Sequence, residues 1–175
     1  MKPYICASGS CIFESMPTNS LLHIYTDGAS RGNPGPGGYG ILLIWGEAKK
    51  EISAGYRFTT NNRMELLAVI KALESLNRPG LSITIYTDSR YIVDAVQKGW
   101  LTTWISNNFK GGKKNKDLWL QYHVLSQQHD IRFQWVKGHA SNPFNNRCDE
   151  LATRAADGQH LLVDQVYEQE QNSQQ

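Results

Sequence analysis

Three shortages narrow the reading before any motif does. Cysteine is scarce: the 175-residue chain has three, Cys6, Cys11 and Cys148, an odd number with two outside the patterned region. That argues against a disulfide framework and fits a reducing compartment. Cys6 and Cys11 have no third and fourth ligand nearby, which argues against a zinc site. An excess of one charge is missing too, since the formal net charge is +2, too small by itself to mark a nucleic-acid binder. No apolar run approaches the roughly 20 residues needed to span a bilayer. The opening MKPYICASGSCIFESMPTNS, with one early Lys and an apolar run broken by Ser and Gly, is a poor signal peptide. The expectation is a cytoplasmic protein with no membrane partner.

The length suits one domain with a proper core. Residues 1–20 show no period and read as a loose lead, with Met16 a second candidate start. Residues 158–175, ending VDQVYEQEQNSQQ, are polar and Gln-rich and are expected to be disordered. Between them the pattern is dense. LLHIYTD alternates as a strand, and GASRGNPGPGGYG carries turn chemistry. GILLIWG and KEISAGYRF read as two strands of a hairpin around Gly46-Glu47-Ala48. TTNNRMELLAVIKALESL is a helix opened by Thr and Asn and closed by Arg78-Pro79-Gly80. LSITIYTD and IRFQWV are further strands, and SRYIVDAVQKGW, LTTWISNN, DLWLQYHVLSQQH and NNRCDELATRAA are helices. Strands first, then alternating helices and strands, predict an α/β fold with a mixed sheet covered by helices.

The tetrapeptide IYTD occurs twice, at Ile24–Asp27 and Ile85–Asp88. The flanks do not match, so it is no repeat. Both copies end an apolar strand, and ligands of open α/β sheets gather outside the carboxyl ends of strands. Taken singly, Asp88 is an N-cap for the next helix and Asp27 an Asx-type turn into Gly28. Glu65 is harder to dismiss, because Ala68, Val69 and Ala72 share its helix face. Asp149 repeats the observation with Ala152 and Ala156, whereas neighbouring Glu150 has Arg154 four residues on and reads as a solvated pair. Four carboxylates converging would repel by about 4 kcal/mol per pair at about 4 Å and an effective dielectric near 20. Such a cluster takes up protons or holds cations, and oxygen-only ligands select Mg²⁺ or Mn²⁺. An acidic cluster on hard divalent ions suits two-metal displacement at phosphorus.

The stretches TDGASRGNPGPGGYG, TTNNRMELLA, YTDSRYIV and VKGHASNPFNNRCDELA, in this order and spacing, resemble the motifs of the bacterial type 1 ribonucleases H, the ribonuclease HI family. The resemblance covers about residues 21–157, which it makes the catalytic domain. It implies a ribonuclease H-like fold, a five-stranded mixed β-sheet flanked by helices with a basic helical protrusion. It also implies a monomer that hydrolyses the RNA strand of RNA–DNA hybrids with two Mg²⁺ ions (Mn²⁺ substituting), leaving 5′-phosphate and 3′-hydroxyl ends. By position, Asp27, Glu65, Asp88 and Asp149 take the metal-ligand and catalytic roles, and His139 that of an assisting proton carrier. An imidazole in a turn-rich loop titrates near neutral pH, although alone it is a plain surface His.

Substrate contacts follow from the same resemblance. Asn33 corresponds to a residue at the hybrid's minor groove, where 2′-hydroxyls are exposed, and Thr60, Asn61 and Asn62 to a DNA-phosphate site at a helix start. Helix capping is the plain alternative for these three. Trp100, Trp104 and Phe109 among Lys110, Lys113, Lys114 and Lys116 resemble the family's basic handle on the DNA strand, the tryptophans partly structural. Arg90, also a substrate contact by position, stands where members often carry Gln, a departure that alters minor-groove contact without touching the metal chemistry. Phe58 stands where some members carry a cation, so the phosphate pocket is either weaker or uses Arg57 instead. The glycine-rich stretch lacks the Gly-Lys-Ser/Thr ending of a nucleotide-triphosphate loop; a strand connection is its plain reading. Rival functions are another nuclease of this fold, a non-catalytic hybrid-binding module, and a metal-independent hydrolase using two carboxylates. A proofreading exonuclease would need Asp-x-Glu on the first strand, and Asp27-Gly28-Ala29 lacks that Glu.

Overall fold

A computed structural model describes residues 21–138 and 142–173. Five strands, β1 (Leu22–Ser30), β2 (Gly35–Trp45), β3 (Ala48–Thr59), β4 (Ser82–Thr87) and β5 (Asp130–Trp135), form one sheet in the order β3-β2-β1-β4-β5. The first three are antiparallel, and β1, β4 and β5 are parallel. The helices are α1 (Asn61–Glu74), α2 (Arg90–Gln97), α3 (Trp100–Ser106), α4 (Lys116–Ser126), α5 (Pro143–Ala156) and α6 (Gln165–Asn172). No helix among the described residues is long and apolar enough to cross a membrane.

Strand alternation separates two layers of core. Ile24, Ile41, Leu43, Ile83 and Ile85 point toward α1 and join Met64, Ala68, Val69 and Trp119 in the main cluster. Tyr25, Leu42, Ile44 and Tyr86 point the other way and pack with Cys148 and Phe144 of α5. The two helices that deliver carboxylates thus lie on opposite faces of the sheet.

The glycine-rich stretch departs from expectation. Only Arg31–Pro34 is loop; Gly28–Ser30 and Gly35–Gly40 are strand, paired Gly28–Tyr39, Ala29–Gly38 and Ser30–Gly37. The glycines serve close approach. A Cβ at Gly28 would strike the backbone of Met64 and Glu65, and one at Gly38 or Gly40 the backbone of Ala152 or Cys148. Bare backbone at these points lets α1 and α5 sit flush on the sheet.

The tail corrects a second expectation. Instead of being disordered, residues 158–173 run back onto the domain: Leu162 N–H donates to Gly55 O at 2.8 Å and Leu162 O accepts from Arg57 N–H at 2.9 Å. Asp164 is 8% exposed and caps α6 through Tyr167 N–H. It also receives Arg63 Nε at 2.6 Å and Nη2 at 2.8 Å, and the Thr59 hydroxyl at 3.1 Å. Arg63, buried in α1, pairs with Asp117 of α4 as well. A buried guanidinium demands anions, and the polar tail supplies one of them.

Candidate active site

The repeated tetrapeptide pairs with itself. In the parallel β1–β4 ladder Ile24 lies opposite Ile85 and Tyr25 opposite Tyr86, the tyrosine rings stacked at 4.5 Å. The ladder ends there, and β1 continues beside β2 alone. Asp27 and Asp88 therefore stand two residues past the last pair on adjacent strands, where the sheet begins to part.

Glu65 and Asp149 reach the same place from α1 and α5. Asp27, Glu65, Asp88 and Asp149, with Asn61, Arg31 and Thr153, line a polar cleft of about 390 Å³. Thr60 caps α1, its hydroxyl accepting from Arg63 N–H at 3.4 Å. Asn142 caps α5, accepting from Phe144 and Asn145 N–H with Pro143 in the first turn. These caps set where each helix begins, and hence where its carboxylate projects.

Glu65 is held on both oxygens. Asn61 Nδ2 donates to Oε1 at 2.7 Å, and the Ser89 hydroxyl donates to Oε2. Burial raises its pKa to about 7, against the Ser89 hydrogen bond that lowers it and with the nearby Asp88 charge. Asp27 is 6% exposed and accepts from Gly28 N–H at 2.7 Å. Burial, then Asp88, push its pKa up to about 8, with Asp149 and Glu65 adding to the rise. Both rises accord with the shared cleft that the four carboxylates line. Among the described residues no three such side chains converge tightly enough to enclose an ion by themselves.

The plain readings fare unevenly. Asp88 does not cap α2: Ser89 is the N-cap residue. Thr60 does cap, as its alternative role required. Glu150 is exposed and pairs with Arg154 at 3.2 Å. Asn33 reaches the cleft margin, its Oδ1 accepting from Asn61 N–H at 3.3 Å, while Asn62 faces solvent beside it. Arg57 does not stand free as a substitute phosphate cation: Glu168 engages it at 2.7 Å, and Phe58 packs on Tyr167. His139 lies outside the described residues, as do Cys6 and Cys11. Cys148 is a buried free thiol donating to Tyr25 O.

The handle residues form a separate surface. Trp104 packs edge-on against Trp119 at 5.7 Å and near Phe109 at 6.5 Å. Trp100 is 43% exposed with Lys98 over its ring. Lys113 lies over Trp104 and Lys116 over Phe109, while Lys110 and Lys114 face solvent. Residues that sequence reasoning missed include Ser89, whose polar side chain beside Asp88 was a signal, and Trp135. The Trp135 indole donates to Asp88 O at 3.0 Å, and nothing local announced that.

A five-stranded mixed sheet with two helices bringing carboxylates to its parting strands defines an α/β nuclease-type domain. A sequence model of the RNase H family matches residues 19–157. Ribonuclease H from Syntrophus aciditrophicus is 52% identical over 148 residues, covering 82% of this chain and 85% of that protein. The crystal structure of LC9-RNase H1, a type 1 RNase H with the type 2 active-site motif, aligns with a TM-score of 0.74 at 31% identity, covering 83% of this chain and 75% of that one. LC11-RNase H1, solved in complex with an RNA/DNA hybrid, aligns at 0.61 and 27% identity over 78% of this chain and 96% of that one. The chain belongs to the ribonuclease H family of hydrolytic nucleases.

Proposed function

We propose that this chain is an endoribonuclease that hydrolyses the RNA strand of RNA–DNA hybrids, leaving 5′-phosphate and 3′-hydroxyl ends, and acts as a cytoplasmic monomer with two Mg²⁺ ions. The observation that carries this reading is the in-register pairing of the two IYTD segments, which sets Asp27 beside Asp88 at the cleft. The solved relative with a hybrid bound supports the substrate class.

The donor set fits hard divalent ions: four carboxylates line the cleft, and Asp27 and Glu65 are buried enough that their charge needs neutralising. Asp27, Glu65, Asp88 and Asp149 would hold the ions, and bound ions would stabilise charge on the attacking and leaving oxygens of an in-line displacement. The chain's own groups do the positioning. Gly28 N–H fixes the Asp27 carboxylate, and Asn61 and Ser89 fix that of Glu65. Asn33 and Asn61 at the cleft margin, with Thr60 and Asn62 at the start of α1, contact the hybrid. Lys110, Lys113, Lys114 and Lys116 attract its DNA backbone, with Trp100 and Trp104 shaping that surface. His139 carries a proton to the departing product.

The test is cleavage of a labelled hybrid beside duplex RNA and duplex DNA, in chelator and after Mg²⁺ is restored. Hybrid-selective cleavage that is lost in chelator and recovered with Mg²⁺ is expected. Binding without cleavage would leave a hybrid-binding module, and full activity in chelator would leave a metal-independent hydrolase; either result overturns the proposal.

A further inference from the structure

We infer that Trp135 is a positioning residue for the reaction, holding at once the main chain that carries Asp88 and the guanidinium of Arg90. The inference rests on the hybrid-cleaving function proposed above. Trp135 ends β5 in register with Thr87 of β4, and Val136 N–H donates to Thr87 O at 3.0 Å. The Trp135 side chain is 37% exposed and reaches back over the end of β4. Its indole N–H donates to the Asp88 carbonyl at 3.0 Å, and the Arg90 guanidinium carbon lies 3.8 Å from its ring centroid. These contacts bracket Ser89, whose hydroxyl donates to Glu65. One indole therefore spans the three residues that place Asp88, orient Glu65 and present Arg90.

The chemistry of the stack assigns Arg90 its task. An arginine uses its flat face on an aromatic ring and keeps its edge N–H donors for an anion. Arg90 is exposed, and among the described residues no carboxylate forms an ion pair with it. A planar cation fixed beside Asp88 suits a backbone phosphate of the bound hybrid, where such contacts set register. A lysine over the ring would offer a point charge with no planar donor edge, and a glutamine a planar amide with no charge. Trp135 thus links binding register to the carboxylate end of β4.

The test is steady-state hybrid cleavage in Mg²⁺ by wild type, Trp135→Phe, Trp135→Leu, Arg90→Ala and the Trp135→Leu/Arg90→Ala pair, with circular dichroism confirming each fold. Trp135→Phe keeps a ring face and loses the N–H, so kcat is expected to fall about fivefold, the worth of one hydrogen bond. Arg90→Ala is expected to raise KM about fivefold and to flatten the dependence of log KM on log salt by about 0.9, as for one phosphate no longer neutralised. In the Trp135→Leu background that KM effect should shrink below about twofold, because the guanidinium has already lost its platform. Additive KM effects, or a wild-type kcat in Trp135→Phe, would overturn the inference while the proposed function stands. A wild type that does not cleave the hybrid would overturn both. If Trp135→Leu does not fold, the kcat fall of Trp135→Phe and the KM rise of Arg90→Ala decide the matter together: either one missing sinks it.

Discussion

Asp27 sets function against stability. Its unfolded carboxyl ionises near 3.8, and burial with Asp88 pushes the folded value to about 8. Between those values the folded protein keeps a proton that the unfolded chain has released. Stability from this group is therefore full below about pH 4 and falls as pH rises toward 8 in the metal-free protein. Asp27→Asn removes the titration. In chelator at pH 8 the variant should melt above wild type, by about 1 kcal/mol once water and protonation relieve part of the repulsion. The gain should vanish below pH 4, and activity should be lost throughout. Mg²⁺ should stabilise wild type more than the variant, by mass action on the folded state. Melting curves at both pH values, with and without Mg²⁺, decide it: a variant that melts lower at pH 8 would mean that Asp27 is not strained by its neighbours.

At the scale of elements, the seating of α5 on the sheet positions Asp149. A Cβ at Gly40 would strike Cys148 O, the residue immediately before Asp149. Gly40→Ala should cost about 2 kcal/mol through overpacking, and activity should fall because α5 must lift and carry Asp149 with it. Chemical denaturation beside a cleavage assay measures both; an unchanged midpoint would show that α5 is not seated on bare backbone. The handle offers an independent element-level prediction. Changing Lys110, Lys113, Lys114 and Lys116 to Ala should weaken hybrid binding and lower the slope of log K against log salt by roughly 0.9 for each of these lysines that neutralises a phosphate. Binding titrations across a salt series read the slope, and no change would reduce these lysines to a solvated surface over Trp104 and Phe109.

For the molecule as a whole, Arg63 joins parts far apart in the chain. Its guanidinium is 2% exposed and meets Asp117 at the start of α4 and Asp164 before α6. Removing one partner of a buried pair leaves an uncompensated charge, so Asp164→Ala should destabilise the protein by about 3 kcal/mol. Arg57→Ala, which breaks an exposed pair with Glu168, should change stability far less. Thermal unfolding of the two variants makes the comparison. Equal effects would mean that the tail is held by its apolar packing and strand bridge rather than by Arg63.

Some of this was legible in the sequence. Alternation and helical period depend on residues a few positions apart, so they gave the element types and order from β1 to α5 and put Glu65 and Asp149 on apolar faces. The duplicated IYTD gave two strand ends bearing aspartates. The in-register pairing that brings those ends together, the glycine stretch serving as helix-bearing strand, and the docking of residues 158–173 were decided only by the tertiary structure. Each depends on surfaces brought together across long chain separations: Tyr25 on Tyr86, Gly40 under Cys148, Asp164 on Arg63. A polar tail reads as solvated until a buried cation elsewhere requires its carboxylate, and nothing in the local pattern of IRFQWV announces that the Trp135 N–H meets the Asp88 carbonyl. Local pattern determines which face a residue presents; packing between distant segments decides what that face meets.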